Sequence, residues 1–178
     1  MNSGMQRILI VGCSGAGKTT LSWALGKQLG LEVIHLDREY WRAGWIESPR
    51  PEFLVRLSKL LERDAWIMDG NYDSTLVLRM ARADTAIFLD FSRWRCLSSV
   101  VWRTLTKYGR VRAEIPTGCP ERFDWKFIHW IWNYRRTARP AILEHLQRFD
   151  RQGGKVVILS SRDEMWKWRD ELAASQRS

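Results

Sequence analysis

Five short apolar runs punctuate the chain, at residues 8–11, 33–36, 66–68, 86–89 and 156–159. Each is unbroken rather than alternating, the pattern of a strand covered on both faces. Between them apolar residues recur at helical spacing. Leu21, Ala24, Leu25 and Leu29 form one such face; Phe53, Leu54, Leu57, Leu60 and Leu61 form a second. Trp94, Leu97, Val101, Leu105 and Tyr108 make a third, and Phe127, Trp130, Ile131 and Tyr134 a fourth. A short helix around residues 76–80 and a final helix holding Met165 and Trp168 complete the set. Strands alternating with helices predict an α/β fold, one parallel sheet with helices on both faces. The punctuation agrees: Gly30 stops the first helix, Pro51 suits the start of the next, Ser92 reads as an N-cap, and Gly153-Gly154 turn into the last strand.

Two stretches break the alternation. Residues 38–46 read as an aromatic loop, and residues 109–120, bearing glycine and proline between two helices, read as a candidate lid. Pro140 is expected to kink or split the long helix that follows. No internal repeat or low-complexity linker interrupts the chain, so residues 1–178 are taken as a single domain.

The turn after the first run reads Gly12-Cys13-Ser14-Gly15-Ala16-Gly17-Lys18-Thr19, which matches G-x-x-x-x-G-K-[ST]. Its position between a strand and a helix is where that pattern works. Glycines let successive N–H groups turn inward toward an anion, and the helix N-terminus adds the positive end of its dipole. Gly12, Ser14, Gly15, Ala16, Gly17, Lys18, Thr19 and Thr20 are therefore the expected nucleotide-binding residues. Lys18 is expected on the β- and γ-phosphates and the Thr19 hydroxyl on Mg²⁺. Cys13 reads as a small apolar filler, although a ring of N–H donors could lower its thiol pKa and make it oxidisable.

Composition narrows the class without choosing the function. With 178 residues, 45% hydrophobic and 28% charged, the chain is an ordinary globular sequence. No apolar run approaches a membrane span, and the N-terminal stretch lacks the layout of a signal peptide, so a soluble cytoplasmic protein is expected. Cys13, Cys96 and Cys119 are odd in number and show no metal spacing, which predicts reduced thiols. The net charge of +9 suits a polyanionic partner, whether nucleotide, nucleic acid or an acidic surface.

Asp37, Asp69 and Asp90 each follow a strand run, and in open α/β sheets ligands bind beyond those carboxyl ends. Asp69 is the expected metal-side carboxylate, accepting from Thr19 or a magnesium-bound water, with Asp90 ranked behind it because it leads into a helix. Asp37 is expected to orient or deprotonate an acceptor hydroxyl, with a role behind the metal's direct ligands equally open. His35, within a predicted strand, reads as a packed core residue rather than a base. Arg135 and Arg139 share a helix face and are expected to neutralise the transferred phosphoryl group, with Arg110 reaching from the lid. Arg42, Asn71 and Arg79 are the remaining candidates for substrate contact. From Arg93 to Arg112 there is no acidic residue, so a DNA-binding face is the rival explanation of the same charges.

The phosphate loop, Ile34-His35-Leu36-Asp37, Trp41-Arg42-Ala43-Gly44-Trp45, Trp66-Ile67-Met68-Asp69-Gly70-Asn71-Tyr72, Arg82-Ala83-Asp84, Gly118-Cys119-Pro120-Glu121-Arg122-Phe123-Asp124 and Trp130-Ile131-Trp132-Asn133-Tyr134-Arg135-Arg136 together resemble the bacterial DNA topology modulation proteins, which are similar to adenylate kinase. The resemblance covers nearly the whole chain. It implies a P-loop kinase with sheet order 2-3-1-4-5 and a mobile lid, and leaves the substrate open. Adenylate kinases carry Asp-Gly-Phe-Pro-Arg after the third strand, whereas this chain has Asp69-Gly70-Asn71-Tyr72, which counts against an AMP acceptor. The leading expectation is an ATP-dependent, Mg²⁺-requiring phosphotransferase. The alternatives are a nucleotide-gated DNA-binding protein with little turnover, and a plain NTPase whose lid signals to a partner.

Overall fold

A computed structural model describes residues 4–175; Met1, Asn2 and Ser3 of the N-terminal stretch lie outside the described residues. The elements are β1 (Arg7–Gly12), α1 (Lys18–Leu29), β2 (Val33–His35), α2 (Leu36–Tyr40), β3 (Trp41–Arg42), β4 (Ile46–Glu47), α3 (Arg50–Leu61), β5 (Trp66–Asp69), α4 (Asp73–Met80), β6 (Thr85–Leu89), α5 (Arg93–Lys107), α6 (Trp125–Arg151), β7 (Lys155–Leu159) and α7 (Arg162–Ser175). Five strands form one parallel sheet in the order β2-β5-β1-β6-β7. Counted without the small hairpin β3–β4, this is the order 2-3-1-4-5 that the resemblance implied.

The inner strands follow from their composition. Ile8, Leu9, Ile10 and Val11 of β1, Ile67 and Met68 of β5, and Ala86 to Leu89 of β6 are all fully buried. Each such large aliphatic side chain withdrawn from water contributes about 1.5–3 kcal/mol, so the middle of the sheet is where the domain is nucleated and held. The edge strand β7 is looser, with Lys155 and Ile158 exposed. Gly30 ends α1 in the left-handed conformation, its N–H donating to the Gly26 carbonyl. Ser92 caps α5 by accepting the Arg95 N–H at 3.3 Å, and Asp124 caps α6 by accepting the Phe127 N–H at 3.1 Å.

Three expectations need correction. The strand predicted through residue 36 ends at His35, because its pairing to β5 stops at His35↔Asp69. Leu36 then turns into α2 and buries its side chain completely. The expected aromatic loop is ordered: α2 leads into the antiparallel hairpin β3–β4, with Trp41 opposite Glu47 and Arg42 opposite Ile46. Finally, α6 runs unbroken through Pro140. The carbonyl that Pro140 cannot satisfy belongs to Arg136, which is exposed and free to bond water. Meanwhile Tyr134, Ala138, Ile142, Leu146 and Phe149 bury one continuous stripe on both sides of it.

Replacing that proline tests the account. Pro140→Ala restores a helical N–H at an exposed site, offset by the freer unfolded chain. We expect a net gain of roughly 1–2 kcal/mol in urea unfolding. A loss of stability would mean that Pro140 sets the path of α6 against the sheet.

Candidate functional site

The phosphate loop is shaped by contacts that only glycine permits. Gly15 has φ +83°, and a Cβ there would lie 2.3 Å from the Cys96 carbonyl oxygen, so the loop is pressed directly against α5. Gly17 occupies the N-cap of α1 with φ 97° and no side-chain cap, and the first turn of α1 holds no acidic residue. The leading N–H groups of α1 are thus left for an anion, and the helix dipole adds to them. Lys18 curls back over the loop, its Nζ donating to the carbonyls of Gly12 at 2.8 Å and Cys13 at 3.2 Å. Cys13 is not an acidic thiol: its hydrogen bond to Cys96 and its burial push its pKa up.

The ends of β2 and β5 meet beside the loop. Asp69 is buried, accepting the Ser22 hydroxyl at 2.9 Å and lying 3.0 Å from His35 Nδ1. A carboxylate only accepts, so that His35 nitrogen carries the proton. His35 is buried as expected of a core residue, and its polar partner there is Asp69. Ser22 lies one turn after Thr19 on α1 and its hydroxyl is also 2.9 Å from the Thr19 carbonyl. Beyond Asp69, the Asn71 side-chain oxygen accepts the Gly12 N–H at 2.9 Å, tying β5 to the start of the loop. The Tyr72 hydroxyl donates to Asp37 at 2.6 Å, and burial together with that carboxylate pushes the Tyr72 pKa up.

Arg79 organises this corner from beneath. It is fully buried and donates to the carbonyls of Gly70 at 3.0 Å, Asn71, and Tyr72 at 3.2 Å, and to the Thr75 hydroxyl at 3.2 Å. Burial lowers its pKa to about 10. The expectation that Arg79 contacts substrate is thus overturned: its guanidinium is spent on backbone and does not line the cleft. Arg42 is corrected likewise, since it faces outward and pairs with Glu52.

The basic residues downstream divide by their partners. Arg139 binds Asp90 through both carboxylate oxygens at 2.6–3.0 Å, and that pairing raises its pKa. Neither Arg139 nor Arg135 lines the cleft: Arg139 is held by Asp90, and Arg135 is close enough to the Cys96 thiol to favour its thiolate. The same bond removes Asp90 from contention for a metal. In the lid, Glu121 is buried and accepts Arg103 at 3.0 Å, Arg112 at 2.9 Å and the Thr104 hydroxyl at 3.2 Å. Arg110 is exposed and outside the cleft; its carbonyl accepts the Glu121 N–H at 2.8 Å. The segment docks on the hairpin: the Gly44 N–H donates to the Gly118 carbonyl at 2.7 Å, the Trp45 indole to the Pro120 carbonyl at 2.9 Å, and the Cys119 thiol to the Arg42 carbonyl at 3.1 Å.

These pieces enclose a cleft of about 790 Å³. Ser14, Gly15, Gly17, Lys18, Thr19 and Thr20 line one end, and Asp37, Asp69 and Asn71 also face it. Gly12 and Ala16 shape the loop from behind, both being buried. Residues that sequence reasoning passed over also line it: Trp41, Trp45 and Glu47 of the hairpin, Arg122 and Lys107 near the lid, and Arg162 at the start of α7. The aromatic density around residues 40–45, the acid-free run that holds Lys107 and the motif that holds Arg122 hinted at some of them; nothing pointed to Arg162. Among the described residues no three His, Cys, Asp or Glu side chains gather as a metal site. Mg²⁺ at a nucleotide needs none, because water and phosphate oxygens complete its shell around a hydroxyl and a carboxylate. Thr19 and Asp69 fit that donor set.

The chain matches no protein-family model, and no curated protein matches it in sequence. The resemblance to DNA topology modulation proteins thus finds no support there. Solved structures do match. Shikimate kinase from Acinetobacter baumannii in complex with shikimate superposes with a TM-score of 0.62 at 16% identity, over 95% of this chain and 91% of that one. Shikimate kinase from Bacteroides thetaiotaomicron gives 0.58 at 18% identity, over 98% and 100%. The fold is that of P-loop kinases. No helix among the described residues is long and apolar enough to cross a membrane.

Arg79→Ala removes a donor from three carbonyls, of which the Gly70 bond is buried, and leaves a cavity where a fully buried side chain stood. We expect it to lower stability by roughly 3–5 kcal/mol in denaturant titration. Arg79→Lys should recover only part, since an ammonium cannot span the fork. Wild-type stability in Arg79→Ala would show that the clamp is dispensable.

Proposed function

We propose that this protein is an ATP-dependent, Mg²⁺-assisted phosphotransferase acting on a small hydroxyl acceptor. The observation that carries the reading is the uncapped, acid-free N-terminus of α1, opening into a cleft that also contains Asp37. A polyphosphate placed there meets the loop amides, Lys18 and the helix dipole together. Thr19 and Asp69 would hold Mg²⁺, which screens the phosphate charge when bound.

Asp37 is the candidate base. The Tyr72 hydroxyl fixes one of its oxygens at 2.6 Å, leaving the other to receive a proton. In the transfer, the acceptor oxygen bonds to the γ-phosphorus and the bond from that phosphorus to its bridging oxygen breaks. ADP departs with the electron pair, and the hydroxyl proton passes to Asp37 and on to solvent. Charge developing on the phosphoryl group requires cations that are not already neutralised. Arg103 and Arg112 are held by Glu121, whereas Arg122, Lys107 and Arg162 line the cleft and form no ion pair among the described residues. These three replace Arg135 and Arg139 as the candidates. Residues 109–120 act as the lid, hinged on α5 and resting on the hairpin. The DNA-binding reading is weakened by the same partnerships, because Arg103, Arg112 and Arg139 are turned inward onto carboxylates.

Lys18→Ala should abolish Mg-ATP turnover with the fold intact by circular dichroism; wild-type turnover would defeat the assignment. Among the arginines, Arg122→Ala should lower kcat roughly a hundredfold with little change in ATP affinity. Arg139→Ala should instead leave kcat nearly unchanged and cost roughly 1–2 kcal/mol of stability. The reverse ranking would restore the helix α6 pair. Amide hydrogen exchange in residues 109–120 should slow when a non-hydrolysable ATP analogue and Mg²⁺ are added, and unchanged exchange at saturation would make the segment a static loop.

A further inference from the structure

The cleft is electrically polarised, and its far end has a composition of its own. At the phosphate-loop and lid end stand Lys18, Lys107, Arg122 and Arg162. At the hairpin end stand Trp41, Trp45, Tyr72, Asp37 and Glu47. Trp41 and Glu47 are cross-strand partners in the hairpin, so ring and carboxylate are neighbours. The Trp41 and Trp45 rings meet edge to face at 5.5 Å, and Tyr40 packs on Tyr72 at 4.7 Å behind them. Burial, and then the nearby Glu47 carboxylate, push the Tyr40 pKa up.

The charges at this end do not balance internally. Asp37 and Glu47 form no ion pair among the described residues; Asp37 accepts the Tyr72 hydroxyl, and Glu47 is exposed on the hairpin. The other acidic groups facing the cleft are occupied: Glu121 by Arg103 and Arg112, Glu114 by Arg112, Asp69 by His35, and Asp124 by the Phe127 N–H. The arginines nearest by chain position are withdrawn as well. Arg42 is outside with Glu52, Arg56 donates to the Glu39 carbonyl and Ser48, and Arg79 is beneath the floor. Arg122 stands over the Trp45 ring, its guanidinium 6.0 Å from the ring centre, whereas no cation stands over Trp41 among the described residues.

We propose that the hairpin end is the acceptor subsite and that its acceptor is a hydroxylated amine, an amino sugar or amino alcohol bearing an ammonium and no anionic group. This rests on the phosphotransferase reading for what happens next, but not for binding. Aromatic faces carry negative charge density and attract a cation, and two unmatched carboxylates add to that. Glu47 and the Trp41 face receive the ammonium, while the hydroxyl points to Asp37 and the γ-phosphate. A carboxylate or phosphate monoester seated against Trp41 would meet Glu47 and Asp37, which no ion pair neutralises among the described residues.

The test uses matched sets that differ in the charge of one group: glucosamine, glucose and glucuronate, then ethanolamine, ethylene glycol and glycolate. Binding is read from quenching of tryptophan fluorescence in the full chain, and transfer from γ-labelled ATP with Mg²⁺. In each set the ammonium member should bind and react best, the anion worst. Glu47→Gln should raise the KM for glucosamine roughly fivefold with unchanged ATP affinity, the scale of a partly exposed charge contact. Glu47→Lys should invert the order and favour glucuronate. A flat charge series, a wild-type preference for the anion, or an order unaffected by Glu47→Lys overturns the proposal. If ATP is neither bound nor consumed while the charge order and its inversion hold, the kinase reading falls and the subsite stands. If ATP is turned over onto the anions instead, the subsite falls and the kinase reading stands.

Discussion

A single buried guanidinium underlies the geometry of the cleft. After β5 the chain must leave the sheet, place Asn71 against Gly12 and Tyr72 against Asp37, and re-enter a helix. The carbonyls of Gly70, Asn71 and Tyr72 turn toward α4, the first of them fully out of water, and the Tyr72 carbonyl also accepts the Thr75 N–H at 2.9 Å. Arg79 answers them, returning from the end of α4 to donate to all three. A buried charge is tolerated only when its hydrogen-bonding capacity is used, and a planar fork is the one side chain shaped to meet several carbonyls at once. Tyr72 accepts an unusual φ of 38° as the cost of this arrangement, and Gly70 passes under Leu36 with φ +134°, where a Cβ would lie 2.9 Å from the Leu36 side chain.

From that corner the contacts pass outward in two directions. Through Asn71 the clamp reaches Gly12 and so the phosphate loop; through Tyr72 it reaches Asp37 and the aromatic wall. The loop is fixed on its other side by α5, whose Cys96 carbonyl sits where a Gly15 side chain would be. Phosphate-binding backbone and candidate base are thus held by one rigid unit, while the hairpin and lid are attached to it by fewer and more exposed bonds. That division suits phosphoryl transfer, in which positioning and charge neutralisation contribute more than covalent chemistry.

Net charge was a poor guide to which arginine does what. The +9 suggested a basic surface, yet much of the relevant positive charge is internal or paired. Arg103 and Arg112 converge on Glu121, Arg139 on Asp90, and Arg79 on backbone. Of the unpaired arginines facing the cleft, Arg122 was noted only as part of a motif and Arg162 only as the residue before the last helix, neither as a phosphate contact. Spacing on one helix put Arg135 and Arg139 on a common face, but which way that face looks is set by how α6 packs across the sheet.

The phosphate loop, the five core strands and their parallel α/β arrangement were legible in the sequence, because each depends on local chemistry: glycines at a sharp turn, unbroken apolar runs, helical spacing between them. Asp69 and Asp37 could be picked out because strand ends in such folds face ligand. The partners of Asp69 could not, since Ser22 and His35 lie 47 and 34 residues away and meet it only through the order of the strands. The ordered hairpin, the docking of residues 118–120 on it, and the uninterrupted course of α6 past Pro140 were likewise hidden. Each is decided by contacts between segments far apart in the chain, where packing and the satisfaction of buried polar groups outweigh local preference. The sequence by itself determined a glycine-rich turn and an uncapped, acid-free start to α1, the shape and dipole that suit a polyanion. Only the tertiary structure decided which charges stand free to meet it and which are already matched.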